Sequence, residues 1–233
     1  MRKIKAVFSK QIKSFFKNPS MYATPLAFLL IPFAIFMLMP GASEADRGPI
    51  ISQFVVMFAG ISMIGNSAGV IAEDRSTMNL RFMGMAGVKP YQYLLATGGA
   101  LLFISLCVLT LFGLMAQYSG EVFVNFLIIT MLGVTCSILL GITLGLSKFY
   151  KFTMLVALLL GVGPIFANTN EVLNGIFRLT YAQQVNAAII SDLTTNFNET
   201  LKIVLINAAV LLFAFLITNM RNGLDGERLS KSK

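Results

Sequence analysis

The chain has 233 residues, 56% of them hydrophobic and only 12% charged, with a mean hydropathy of +0.78. Soluble domains carry about 25% charged residues, so the totals exclude that class and predict a polytopic membrane protein. The net charge of +8 and pI near 9.7 would suggest nucleic acid in a soluble protein; here they predict basic cytoplasmic loops and no nucleic-acid partner.

Residues 1–20 hold Arg2, Lys3, Lys5, Lys10, Lys13 and Lys17 and no acid. Ile4, Phe8, Ile12 and Phe15/Phe16 recur every three or four positions, which predicts an interfacial helix whose lysines snorkel towards anionic lipid. Pro25 and Pro32, just beyond, argue against a cleaved signal peptide. Six uncharged segments follow, at 21–40, 48–72, 90–120, 122–147, 152–170 and 203–220. Each approaches or exceeds the roughly 20 residues that cross a bilayer core as helix. Tyr91 and Tyr93 suit the headgroup level at the start of the third. The connection 171–202 is too polar to span, yet it places Val172, Leu173, Ile176 and Phe177, then Ala182, Val185, Ala188 and Ile189, at helical spacing. Two short helices that dip into the outer leaflet or cap the bundle fit it better than a loose loop. The fold expected is all-α, a single transmembrane domain over 1–233. It comprises an amphipathic elbow helix (1–20), a six-span bundle (21–220) and a cytoplasmic tail (221–233).

With the N-terminus inside, fifteen of the eighteen Lys and Arg fall on the cytoplasmic side, while Arg47, Arg178 and Lys202 and six of the ten acids fall outside. The positive-inside rule then puts both termini in the cytoplasm.

The loop after the second segment reads IAEDRSTMNLRFMGMAGVKPYQYLL from Ile71 to Leu95. Asp74 or Ser76 can cap a helix there, Gly84 and Gly87 loosen its end, and Pro90 forbids continuation. Met78, Phe82 and Met85 follow a 4-then-3 spacing, so one face is apolar while Arg75 and Arg81 point elsewhere. Such a helix can bury that face in its own bundle or dock into a groove on a soluble partner, and docking is the reading taken here.

An absence narrows the function. Proton-coupled carriers and pumps keep ionisable residues at membrane depth, and none of the six segments contains Asp, Glu, Lys, Arg or His. No G-x-x-x-x-G-K-[ST] occurs, so ATP is not bound by the usual loop. With no histidine and only Cys107 and Cys136, both inside apolar runs, no metal cluster, catalytic triad or disulfide framework is expected. An external motor acting through the 73–89 loop is the economical inference. Within the spans, Gly65-x-x-x-Gly69 and Gly141-x-x-x-Gly145 are candidate helix-packing sites. Gly161-Val162-Gly163-Pro164 is a candidate helix break, and Gln53, Ser62 and Asn66 are candidates for one weakly polar lining of a translocation path.

The run Ile71-Ala72-Glu73-Asp74-Arg75, then Leu80-Arg81, Gly87-Val88-Lys89-Pro90 and Tyr93-Leu94, resembles the loop between the second and third spans of ABC-2 type permeases. The six-span order, the basic elbow and the paired short helices before the last span are similar too. The resemblance implies the membrane subunit of a bacterial ATP-driven exporter in the plasma membrane. In that family the loop forms a coupling helix, so Glu73, Asp74 and Arg75 would sit at the ATPase interface. Residues from about Thr77 to Met85, with Met78, Arg81, Phe82 and Met85, would enter the ATPase groove. This chain has Ser76-Thr77 where members often have Gly-Thr, and Ala96-Thr97 where a lysine often follows. The resemblance further implies two copies, or one copy and a similar partner, around a two-fold axis. ATP and Mg would then be bound by the partner ATPase, leaving this chain no catalytic, cofactor or metal residue. The cargo expected is amphipathic or hydrophobic: a peptide such as a bacteriocin, a lipid or a drug. Export of a lipid-linked polysaccharide is a second reading, disfavoured by the absence of tryptophan to stack on sugars. A membrane immunity or sensor module that moves nothing is a third.

Overall fold

A computed structural model of the chain describes residues 2–38, 44–167, 171–191, 193 and 197–222. Among them every regular element is helical. Six helical stretches are long and apolar enough to cross a membrane: Met21–Leu38, Arg47–Ser76, Pro90–Met115, Gly120–Leu146, Phe149–Ala167 and Phe197–Thr218. Helices satisfy their own backbone polar groups, which is what a bilayer core demands. The protein is a polytopic α-helical membrane protein. The expected tail lies outside the described residues beyond Asn222, as do 39–40 and 168–170 at the ends of two expected segments.

Helix α1 (Arg2–Lys17) packs against α6 (Pro90–Met115), the third span. It buries Val7, Gln11 and Phe15 and half-buries Ile4, Phe8 and Ile12, while all six of its cations stay exposed. Phe16 departs from the expected face and is 66% exposed. The chain breaks at Asn18 and re-enters helix at Pro19, where the missing N–H is harmless, to form α2 (Pro19–Leu38), the first span. We call the α1 side of the bundle its elbow end.

The second span has three pieces: α3 (Glu44–Met57), a π-helical stretch Phe58–Ile64, and α4 (Gly65–Ser76). It is the most enclosed span, with 67% of its apolar window buried against 17%, 22% and 11% for the first, fifth and sixth. The fourth span, α7 (Gly120–Leu146), lies beside it and also packs on α6 and on the sixth span, α11 (Phe197–Asn222). Gly141 and Gly145 make the approach to α4 possible. A Cβ at Gly141 would stand 2.6 Å from the Ile64 carbonyl oxygen, and one at Gly145 would stand 3.0 Å from that of Ala68. Gly65 and Gly69 are different: among the described residues nothing lies within 4 Å of a Cβ at either, so that pair makes no close helix approach there.

The expected break at Gly161-Val162-Gly163-Pro164 does not occur. Helix α8 (Thr153–Ala167), preceded by a 3₁₀ turn at Lys148–Phe152, runs through all four residues. Its glycines serve close contact instead: a Cβ on Gly60 of the π stretch would lie 2.5 Å from the Gly161 Cα, and Gly163 receives the Phe177 ring.

At the far end, α9 (Glu171–Phe177) and α10 (Tyr181–Ile190) fold back towards the bundle, joined by Arg178–Thr180. Helix α10 buries Tyr181, Ala182, Val185, Ala188 and Ile189, close to the predicted apolar set, and packs on the second, fourth, fifth and sixth spans. Tyr181 shares a 2.9 Å hydrogen bond with Ser137 inside the fourth span, and Gly133 leaves room for Val185. The two form a short helical pair, α10 packed into the bundle and α9 with no buried residue.

Candidate functional site

The candidate site is the connection between the second and third spans. Helix α4 ends where the Ser76 and Thr77 hydroxyls both donate to the Glu73 carbonyl, at 2.9 and 2.8 Å. Met78 takes a left-handed conformation, φ 59°, uncommon for a side chain of this kind. The chain then reverses into α5 (Asn79–Met85). Neither Asp74 nor Ser76 caps α5, contrary to the expectation, and the helix starts at Asn79 rather than near Thr77. Its end is as the glycines suggested. Gly87 sits at φ +71°, with Val88 N–H donating to the Met83 carbonyl and Gly87 N–H to that of Gly84, each at 2.9 Å. This paired closure needs a residue that tolerates positive φ. Pro90 then opens α6, and the Lys89 N–H finds the Gln92 side chain at 3.1 Å.

Helix α5 has two apolar faces with opposite fates. Leu80 is buried and Met83 half-buried, both in the main core. Met78, Phe82 and Met85 are 54%, 61% and 68% exposed, and Arg75 and Arg81 are exposed beside them. A groove of about 430 Å³ runs past Arg75, Met78 and Arg81 to Ser147 and Tyr150 after the fourth span. Arg75 also reaches the Leu146 carbonyl at 3.5 Å, a cation at the negative end of α7.

Asp74 behaves unlike its neighbours Glu73 and Arg75. Those two are exposed; Asp74 is 5% exposed and surrounded by donors. One carboxylate oxygen accepts from Lys10 Nζ at 3.0 Å and Asn79 Nδ2 at 3.1 Å; the other accepts from Tyr93 OH at 2.8 Å and Gln11 Nε2 at 3.1 Å. Gln11 also approaches Thr97 Oγ1 at 3.4 Å. One buried carboxylate thus ties together the elbow, the foot of the second span, the first residue of α5 and the third span. A second tie, Lys3 Nζ to the Gly87 carbonyl at 2.8 Å, joins the elbow to the other end of α5. Asp74 is therefore taken up inside the chain rather than presented with Glu73 and Arg75. Tyr93, expected among the headgroups, is 2% exposed, whereas Tyr91 is 53% exposed.

The sequence reasoning missed Gln11, Asn79, Tyr93 and Thr97 as members of this cluster. Gln11 carried a usable signal, since it falls on the Val7–Phe15 stripe of the elbow, and a polar group on a buried stripe requires a partner.

The three polar residues proposed for one lining do not share a face. Gln53 is exposed and Ser62 buried; the π-helical stretch Phe58–Ile64 that begins between them breaks the regular 100° step on which a shared face depends. Asn66 donates to Ser62 Oγ at 3.4 Å and to the Met21 carbonyl at 3.0 Å. Met21 stands four residues before Pro25, and proline has no N–H with which to close that turn. Asn66 supplies the missing donor. Asn125, Asn186 and Asn207 do the same kind of work, donating to the carbonyls of Leu193, Pro164 and Leu179 at 3.1, 3.3 and 3.0 Å.

Compared with known proteins, the chain matches no family model and no curated protein.

Proposed function

We propose that this protein is the membrane subunit of an ATP-driven exporter, coupled to a separate soluble ATPase through α5. The observation that carries the reading is the pairing of exposure with anchorage. Met78, Phe82 and Met85 form an uncovered apolar face, while Leu80, the Asp74 cluster and the Lys3–Gly87 contact fix the same helix to three other elements. A loose loop would absorb a push; a helix held at both ends passes it to the elbow and to the second and third spans. Arg75 and Arg81 flank the face and suit an acidic rim on the partner.

The bias of Lys and Arg towards the elbow end supports a cytoplasmic position for that end, where an ATPase would be. The loop's resemblance to ABC-2 permeases supports the same assignment, including a two-fold assembly in a bacterial plasma membrane. The chain's apolar spans suit an amphipathic or hydrophobic cargo.

The test is purification from native membranes with an assay of bound ATPase. Wild-type protein should retain an ATPase whose hydrolysis is stimulated in the complex. Arg81→Ala combined with Phe82→Ala should abolish the stimulation and leave expression and elution volume unchanged. Absence of any co-purifying ATPase, or full stimulation in the double variant, overturns the reading.

A further inference from the structure

Beside the elbow, on the membrane-embedded flank, lies a groove of about 410 Å³ that α5 does not use. Its walls come from three elements: Phe15 and Phe16 of α1, Pro25 and Leu26 of the first span, and Phe103 and Cys107 of the third. Among the described residues no charged side chain lines it. Leu26, Phe103 and Phe16 are 46%, 54% and 66% exposed along it. In a membrane protein such a trough is filled by hydrocarbon, and a lipid tail is the abundant source.

Its rim supplies the selectivity. Lys13 follows Ile12 of the groove by one residue and precedes Phe16 by three, which makes it a surface neighbour of Phe16 on the helix. Lys17 lies one turn beyond Lys13 on the same stripe of the helix, and both lysines are exposed. They also line, with Lys10, a polar hollow of about 740 Å³ on the elbow. Lys10 is engaged with Asp74; no ion pair occupies Lys13 or Lys17 among the described residues. An apolar slot with two unpaired ammonium groups on the adjoining stripe of the same helix matches a lipid with tails and a negative headgroup.

We propose that this groove binds an anionic phospholipid, one acyl chain lying between the first and third spans and the phosphate meeting Lys13 and Lys17. The lipid would fill the notch between elbow and bundle, so α1 would be held by lipid on one flank and by Asp74 on the other. The site is independent of the exporter reading.

The absence of tryptophan from the chain allows a single reporter. Phe103→Trp places one in the groove, Leu26→Trp provides a second position should the first fail to fold, and Phe213→Trp on the sixth span, 66% exposed, is the control. Each variant is reconstituted in vesicles containing brominated phosphatidylglycerol or brominated phosphatidylcholine, and quenching gives the relative affinity. At 103 or 26 a preference of about tenfold for phosphatidylglycerol is expected, from two lysines near the headgroup; at 213 the ratio should be near one. Lys13→Gln with Lys17→Gln should bring the groove ratio to one. Equal ratios at the groove and at 213, a preference that survives loss of both lysines, or a groove tryptophan shielded from both lipids by a second protein chain would each overturn the proposal.

Discussion

The elbow end and the interior of the bundle solve the same problem in opposite ways. At the elbow end one acceptor, the Asp74 carboxylate, gathers four side-chain donors from three elements. Away from that end the asparagines reverse the roles: Asn66 donates to the Met21 carbonyl left open by Pro25, and Asn125, Asn186 and Asn207 donate to the carbonyls of Leu193, Pro164 and Leu179 towards the far end. The difference follows from the medium. A charge is tolerated at the foot of a span, where Lys10 is partly wet, 42% exposed, whereas at membrane depth it costs several kcal/mol and a neutral amide suffices. Charge ties the elbow, α5 and the third span together at the elbow end, and amides tie the spans to one another and to the far-end connections elsewhere.

The largest expected effect comes from breaking the carboxylate hub. Asp74→Ala leaves Gln11, Tyr93 and Asn79 without their acceptor, and hydrogen bonds to a charged group are worth about 1.5–3 kcal/mol each before relaxation. A net loss on the order of 3 kcal/mol corresponds to a drop in Tm of roughly 8 °C for a chain of this size, readable by thermal unfolding in detergent. Proteolysis should show the elbow cut first. If Asp74→Ala melts with the wild type, the hub does not hold the elbow.

A smaller effect tests the amide half. Asn66→Leu should cost on the order of 1.5 kcal/mol by stranding the Met21 carbonyl. Pro25→Ala restores a backbone N–H four residues after Met21, so the Asn66 substitution should cost clearly less in that background. A double-mutant cycle reads the coupling directly. Strict additivity would mean that Asn66 does not compensate for the proline.

What the sequence made legible divides along the same line. The spans were readable because roughly 20 apolar residues in a row have few other uses, and the termination of α5 was readable because Gly87 and Pro90 have a fixed backbone meaning. The apolar set of α10 was readable from its 3.6-residue period. Partnership was not readable. Gly65-x-x-x-Gly69 and Gly141-x-x-x-Gly145 are the same pattern, yet the second pair meets Ile64 and Ala68 while the first meets nothing within 4 Å among the described residues. A small-residue motif states a capacity for approach; the neighbour is chosen by the rest of the fold. Asp74 looked like a cap from its place in the chain, and its partners Lys10, Gln11 and Tyr93 lie 19 to 64 residues away. No local spacing rule reaches that far. Gln53 and Ser62 part company across the point where the chain turns π-helical at Phe58, a change of step that the spacing of polar residues does not announce.

The smallest expected effect on stability uses two carboxylates that are adjacent in sequence. Glu73 precedes Asp74 but is exposed, bordering the same polar hollow as Lys10, Lys13 and Lys17 without an ion pair among the described residues. Glu73→Gln should therefore change Tm by no more than the ±0.5 kcal/mol typical of a surface substitution, where Asp74→Asn, equally conservative in shape, should cost several times more by removing the charge that the donors face. If α5 and its surroundings dock an ATPase, both variants should lower stimulated hydrolysis: Asp74→Asn by loosening the anchorage of α5 together with stability, Glu73→Gln, on the open surface, while the protein stays as stable as wild type. Measured on one preparation, the pair of variants separates the residue that holds the elbow end together from the residue that faces outward. Should both carboxylates prove equally important for melting, the assignment of structural weight to Asp74 alone is wrong.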